Sequence, residues 1–349
     1  MLAPGDKMPF CAGVGPDETF YSFDAQAGRA AVLVLGGALP LAMTIPLVAA
    51  LAGYQAAFAA LQTDLALLVE FAGQSGTWRS APGESAVPII ACQDAFFAAC
   101  DAPPDAPMVV VIDRAARIVA AWPIRHPDAA AVAAAALQAA GRIPREAAAD
   151  IALPAPVLAI PGLFDRALCR ELIERFDTGA TFEGGVSGAD AAGQAVDSVN
   201  LTKKRRRDWL LQPGDGTHRR VVSLLFRRCA PEIARAFHCD VSHADRILVA
   251  RYDESGGYFK RHRDNRGAAV AFRQFALSVN LNDGYGGGHL LFPEFNDHRY
   301  RPAAGEGMVF SCSFLHEAAP VTSGQRYVLL TFLHDAAAEA MRAAGPPGQ

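Results

Sequence analysis

The stretch ARYDESGGYFKRHRDN (Ala250–Asn265), taken with GEGMVFSCSFLHEAAPVTSGQRYVLLTFL (Gly305–Leu333), decides how this chain is read. Both are short apolar and aromatic runs cut by Gly, Asp, Asn and Pro, the texture of strands and turns. Within them lie His262, Asp264, His316 and Arg326. Residues two apart on a strand share a face, so His262 and Asp264 are expected to project together and Arg261 and Arg263 the other way. Two ligands seldom hold a divalent ion, and His316, just past the strand-like GMVFSCSF, is the expected third. Strands facing each other across a barrel would bring it there. Two imidazoles and a carboxylate leave one side of a redox metal open. Arg326 is expected at the start of the strand returning from the TSGQ turn, beside His316. There its planar fork suits a carboxylate. Zinc hydrolysis uses similar ligands, but the arginine and the β texture favour non-haem iron.

Working outward, 349 residues suggest two domains. With 51% hydrophobic and 19% charged residues the chain is globular rather than disordered. A net charge of -4 argues against nucleic-acid or membrane partners. Residues 1–150 carry 8 Lys/Arg against 14 Asp/Glu and the remainder 24 against 22, so the second half is the better host for an anion. Seven scattered cysteines without C-x-x-C read as buried thiols of a reducing compartment. The opening MLAPGDKMPF lacks the pattern of a secretory signal, and the expected location is cytoplasmic. No charge occurs from Ala30 to Thr63, long enough to raise a membrane span. Gly36, Gly37, Pro40 and Pro46 interrupt that run. It reads instead as a strand (Ala31–Leu35), a loop, and a helix from about Pro46 to Leu61 with Pro46 in its first turn.

Residues 1–145 alternate strand-like and helix-like stretches, as in a layered α/β domain. VPIIAC reads as a strand, PMVVVIDRAARIVAAWPI as a hairpin turning at Asp113–Ala116, and DAAAVAAAALQAAGR as a helix capped by Asp128 and ended by Gly141. The Ala/Pro-rich Ile143–Pro156 is the expected boundary. A helix capped by Asp165 opens the second domain, 155–336. A glycine-rich stretch, Thr178–Ser198, follows as a candidate mobile loop carrying substrate choice. From Arg246 onward the spacing of short strands suggests a sandwich or barrel.

Those two stretches, with SVNLNDGYGGGHLLFPE (Ser278–Glu294) between them, resemble the iron(II)- and 2-oxoglutarate-dependent oxygenases, in their prolyl 4-hydroxylase-like branch. The resemblance covers roughly Pro161 to His334. It implies a double-stranded β-helix (jelly-roll) core with flanking helices. It also implies Fe(II) on His262, Asp264 and His316, and 2-oxoglutarate held by Arg326 (often lysine in the prolyl hydroxylases) and Tyr252. Tyr258 and Asn280 become candidates for the substrate pocket, and ascorbate a candidate reductant. The implied reaction hydroxylates an unactivated C–H bond of a peptide, protein or small-molecule substrate with O2, releasing succinate and CO2. Where the family often has Glu in G-G-E-L, this chain has His289, read as a surface residue of the hairpin.

The first half, through PGDKMPFC, AAVLVLG and MVVVIDRAARIV, resembles a peroxiredoxin-type thioredoxin fold. That family's P-x-x-x-T-x-x-C element falls on Pro40, Thr44 and Leu47. Leucine cannot supply a thiolate, so the resemblance implies a structural, dimerising or substrate-recruiting domain, with a homodimer in view, rather than a thiol peroxidase. The basic run Lys203–Arg207 reads first as a solvated face and second as contact with an acidic substrate. A non-catalytic jelly-roll scaffold or sensor is the rival reading of the second half.

Overall fold

The computed structural model describes residues 2–15, 20–23, 28–70, 87–124, 128–145, 150, 153–189, 195–198 and 200–344. The chain divides into two compact units, 1–148 and 149–349. The expected boundary segment lies partly at 146–149 and 151–152, outside the described residues.

The first unit is built on a seven-stranded mixed sheet. Ala30–Gly37, Thr63–Glu70 and Ile89–Cys92 run parallel, and Met108–Ile112 continues the sheet antiparallel from Ala30–Gly37. Ala30, Val32 and Val34 pack into a core under the helices Leu41–Ala52 and Ala129–Gly141, while Ala31, Leu33 and Leu35 enter a second core on the opposite face. Both faces are covered, which is why this strand reads as an unbroken apolar run. The hairpin turn at Asp113–Ala116 closes with Ala116 N–H donating to the Asp113 carbonyl, and Asp128 accepts from Ala131 N–H at the head of its helix.

The uncharged run departs from the expected single helix. It forms Leu41–Ala52 and a separate Gln55–Ala60, with Pro46 inside the first helix. Pro40 sits at the N-cap, so helical geometry begins a turn earlier than expected. Pro46 then removes the backbone bond its missing N–H would have made and crowds the carbonyl of the preceding turn. No described helix is long and apolar enough to cross a membrane.

The second unit is a double-sheet sandwich with flanking helices. Its larger antiparallel sheet has seven strands, with Gln325–His334 between His243–Asp253 and Phe275–Asn280. The smaller sheet includes Tyr258–His262, His316–Ala318 and Leu290–Leu291. Period-2 alternation sorts the large sheet's side chains. Val249, Leu277 and Leu329 join a core with the helix Arg166–Thr178. Leu248, Ala250, Ala276 and Val328 face the smaller sheet and pack with Leu290 and Ala318. The helix Arg166–Thr178 starts at Asp165, whose carboxylate accepts from Leu168 N–H. The stretch expected to be loose holds short strands instead, Phe182–Glu183 and the pair Val186–Ala189 with Ala195–Ser198, while 190–194 and 199 lie outside the described residues.

Candidate metal centre

The strand Tyr258–His262 pairs antiparallel with His316–Ala318, and His262 and His316 are register partners. The two imidazoles therefore come from adjacent strands of one sheet rather than from strands facing across a barrel. Cross-strand neighbours stand close enough to share one ion, and the rings lie 4.2 Å apart. Asp264 is not on the strand. It follows in a turn whose backbone is pinned by Asp264 N–H donating to the Cys312 carbonyl at 2.9 Å. That turn delivers the carboxylate to both rings: His262 Nε2 is 3.4 Å from Oδ1 and His316 Nε2 is 3.4 Å from Oδ2.

Each ring is oriented from behind. His262 Nδ1 lies 2.7 Å from the Lys260 carbonyl and His316 Nδ1 3.0 Å from that of Phe314. A carbonyl only accepts, so both Nδ1 atoms carry the proton and both Nε2 lone pairs face the shared space. Phe259 stacks on the His262 ring. Burial holds His316 neutral, its pKa pushed down to about 4 against the pull of Asp264. Burial works against the Asp264 carboxylate, yet the neighbouring imidazoles, His316 foremost, bring its pKa down to about 2. The site thus offers two imidazole nitrogens, that of His316 held neutral, and one carboxylate, with all three ligand atoms within 4.8 Å of one another. That donor set fits a divalent transition metal with open positions.

Arg326 reaches the same cavity, of about 280 Å³, by strand register rather than through a hairpin. The arms around Gly324 join different sheets: Val321–Ser323 pairs with Gly286–Gly287, while Arg326 on the next strand is the register partner of Tyr252. Arg326 is only 2% exposed and meets no carboxylate among the described residues. Its Nε donates to Asn280 Oδ1 at 3.2 Å, a terminal nitrogen lies 3.5 Å from Ser278 Oγ, and the guanidinium sits 5.5 Å over the Tyr252 ring. A buried cation held only by neutral groups is costly unless an anion joins it.

Two candidates fall elsewhere. Tyr258 does not line the cavity; its hydroxyl donates to the Leu201 carbonyl, and Phe259, one residue on, faces inward instead. Asn280 stands behind Arg326, its amide nitrogen bound by Tyr285 and Pro302, so it holds the arginine rather than presenting a free edge. His289 is half-buried outside the cavity wall.

The basic run departs from the expected solvated face. Lys204, Arg206 and Asp208 alternate inward at period 2, with side chains 4%, 8% and 0% exposed. Lys204 Nζ lies 3.8 Å from Asp208, and Arg206 Nε 2.7 Å from it. The latter pair of atoms is not aligned for a hydrogen bond, so that contact is coulombic, while a second Arg206 nitrogen donates to Asp208 at 3.1 Å. Arg206 also donates to the Tyr252 hydroxyl at 2.9 Å. Burial opposes its charge, but Asp208 and Tyr252 hold its pKa above the ordinary value. Lys204 donates to the Gly185 carbonyl, which ties the glycine-rich segment to the cavity wall.

Residues 247–334 match the family model of the 2OG-Fe(II) oxygenase superfamily. A PKHD-type hydroxylase of Maricaulis maris (strain MCS10) is 35% identical over 89 residues, 24% of this chain and 40% of that protein. The chain thus spans about two fifths of that curated relative's length. Among solved structures, a Pseudomonas putida prolyl-4-hydroxylase aligns over 52% of this chain and 92% of its own, at 18% identity and a TM-score of 0.40. A Trichoplax adhaerens prolyl hydroxylase, in complex with a peptide fragment of the hypoxia inducible factor oxygen degradation domain, aligns over 55% and 88%, at 17% identity and a TM-score of 0.43.

Proposed function

We propose that the second unit, whose residues 247–334 match the 2OG-Fe(II) oxygenase superfamily model, acts as an Fe(II)- and 2-oxoglutarate-dependent dioxygenase hydroxylating an unactivated C–H bond. The observation that carries this reading is one cavity holding both a three-donor metal cluster and a buried arginine without a carboxylate partner. His262, Asp264 and His316 would hold the iron. When bound, iron supplies O2 activation coupled to decarboxylation of 2-oxoglutarate, chemistry that side chains alone lack.

The chain's own residues position and enclose. Arg326 binds the far carboxylate of 2-oxoglutarate, and Asn280 and Ser278 fix its fork. Tyr252, locked by Arg206, walls the same end with its ring. Leu290, Phe310 and Ala318 line the cavity with apolar surface. The curated relative is a hydroxylase by name, which favours oxygen insertion into a peptidyl, amino-acid or related substrate, with succinate and CO2 as co-products and ascorbate as a possible reductant. For the first unit, the parallel strand–helix–strand core supports a thioredoxin-like reading. Leu47, buried within its helix, supports a structural or recruiting role without thiol chemistry.

The test is succinate release from 2-oxoglutarate by the full chain with Fe(II). His262→Ala is expected to abolish it. Arg326→Ala is expected to weaken 2-oxoglutarate binding by ~2–5 kcal/mol, roughly 30-fold or more. Wild-type turnover by His262→Ala, or an unchanged 2-oxoglutarate Kd in Arg326→Ala, defeats the assignment.

A further inference from the structure

The cavity is far more basic than its co-substrate requires. Nine lining side chains are Lys or Arg, and Asp264 is the sole acidic one. Three of the cations are matched one to one from behind the wall: Arg261 by Glu317 at 3.2 Å, Arg263 by Glu294 at 2.5 Å and Arg273 by Asp245 at 2.7 Å. Lys204 and Arg206 share the single carboxylate of Asp208. Arg326 is committed to 2-oxoglutarate in the reading above. Arg246 is engaged elsewhere. Lys203 and Arg266 remain, and neither meets a carboxylate among the described residues.

Charge accounting sharpens the point. Leaving Arg246 aside, a divalent ion and 2-oxoglutarate cancel each other. Asp264 offsets one of three surplus cations: Lys203, Arg266 and Arg326. About two positive charges are left at the cavity, where like charges repel and an anion is favoured. Both unmatched residues line the cavity that holds the candidate metal ligands. The Lys203 carbonyl accepts from Lys260 N–H at 2.9 Å, which sets Lys203 beside the strand ending at His262. Arg266 follows Asp264 by two residues on an exposed turn.

We propose that the substrate is a small anion. A carboxylate or phosphate group docks on Lys203 and Arg266 at the cavity mouth, and the oxidisable carbon points toward His262, Asp264 and His316. The proposal rests on the oxygenase reading and adds the substrate's charge class to it. A cavity of about 280 Å³, near the lower end for ligand pockets, favours a small molecule over a bulky peptide once 2-oxoglutarate is inside.

Two measurements on the full chain test this. In the first, succinate release is screened over matched sets of small carboxylic acids, phosphate monoesters, acidic peptides and the neutral amides or methyl esters of each. Stimulation is expected from small anions and not from their neutral partners. Lys203→Ala/Arg266→Ala is expected to raise KM for any hit on the order of tenfold, with 2-oxoglutarate affinity measured alongside. Comparable stimulation by neutral partners, stimulation confined to acidic peptides, or an unchanged KM in the double variant overturns the proposal. The acid and phosphate arms tell the two anion sources apart.

The second measurement needs no turnover. Inorganic phosphate is titrated calorimetrically into protein loaded with Mn(II) and 2-oxoglutarate. Wild type is expected to bind at least tenfold more tightly than the double variant, and equal binding overturns the proposal. Wild-type protein that fails to bind 2-oxoglutarate at all points instead to failure of the oxygenase reading.

Discussion

Replacing Asp208 by asparagine keeps the side chain's shape and removes one charge at the point where two buried cations depend on it. Asp208 is fully buried between Lys204 and Arg206, whose side chains are only 4% and 8% exposed. Losing one partner of a buried ion pair costs ~3–5 kcal/mol, because the remaining charge stays desolvated. Here the carboxylate serves two cations, so the upper end applies. For a unit of this size each kcal/mol lowers Tm by ~2–4 °C, which gives an expected fall of roughly 10–20 °C. The assay is calorimetric melting of the full chain. The second unit's transition is recognised by its upward shift with Mn(II) and 2-oxoglutarate. Arg206→Met/Asp208→Leu, which removes two charges together and fills the space, should melt well above the single Asp208→Asn variant. A fall of under about 2 °C in Asp208→Asn, or a double variant as unstable as the two single changes combined, would show that this network does not carry the wall.

Two further outcomes follow from the same unit. Gly305 has φ +86° and a Cβ there would stand 2.3 Å from the Phe164 carbonyl oxygen, so Gly305→Ala should lower the urea midpoint by the equivalent of ~1–3 kcal/mol with an unchanged m-value; an unchanged midpoint would mean the loop yields freely. Arg342 first and His334 second hold the Glu339 carboxyl down to about 2 from its ordinary 4.5. With the folded pKa below the unfolded one, this contribution is complete above about pH 4.5 and is lost as pH falls toward 2. Melting temperatures of wild type and Glu339→Gln should therefore converge across that window, and a gap that widens on acidification would reverse the sign of the linkage.

The candidate metal ligands are legible in the sequence because their information is local. His262 and Asp264 lie two apart beside a Gly-Gly turn, and His316 and Arg326 bracket one more turn, so spacing alone proposed a common site. The paths between them were not legible. Sequence alternation put His262 and Asp264 on one strand face, whereas the strand ends at His262 and a turn anchored on Cys312 delivers Asp264. The tie to Cys312 is a backbone hydrogen bond across 48 residues, and nothing in either side chain announces it. Pro46 was misplaced for a related reason. Proline forbids one hydrogen bond, but a helix that starts at Leu41 tolerates that loss when its apolar face is buried under the sheet.

The basic run shows where a weight of priors misleads. Five consecutive cations look like a solvated face, and on a helix or loop they would be. On an extended segment the same residues split by period 2. Arg205 turns out, while Lys204, Arg206 and Asp208 turn in. The clue was present in the acid that ends KKRRRD: an inward strand face bearing two cations is tolerable only if it carries a carboxylate at the same parity, and Asp208 has it. Parity of opposite charges within a charge run is thus a physical signal for a buried ionic wall. A run whose charges all share one sign at both parities has no such partner and must stay in water. Applied to residues 204–208, the rule separates Lys204 and Arg206, which belong to the wall, from Arg205, whose parity offers no acid and which stays exposed.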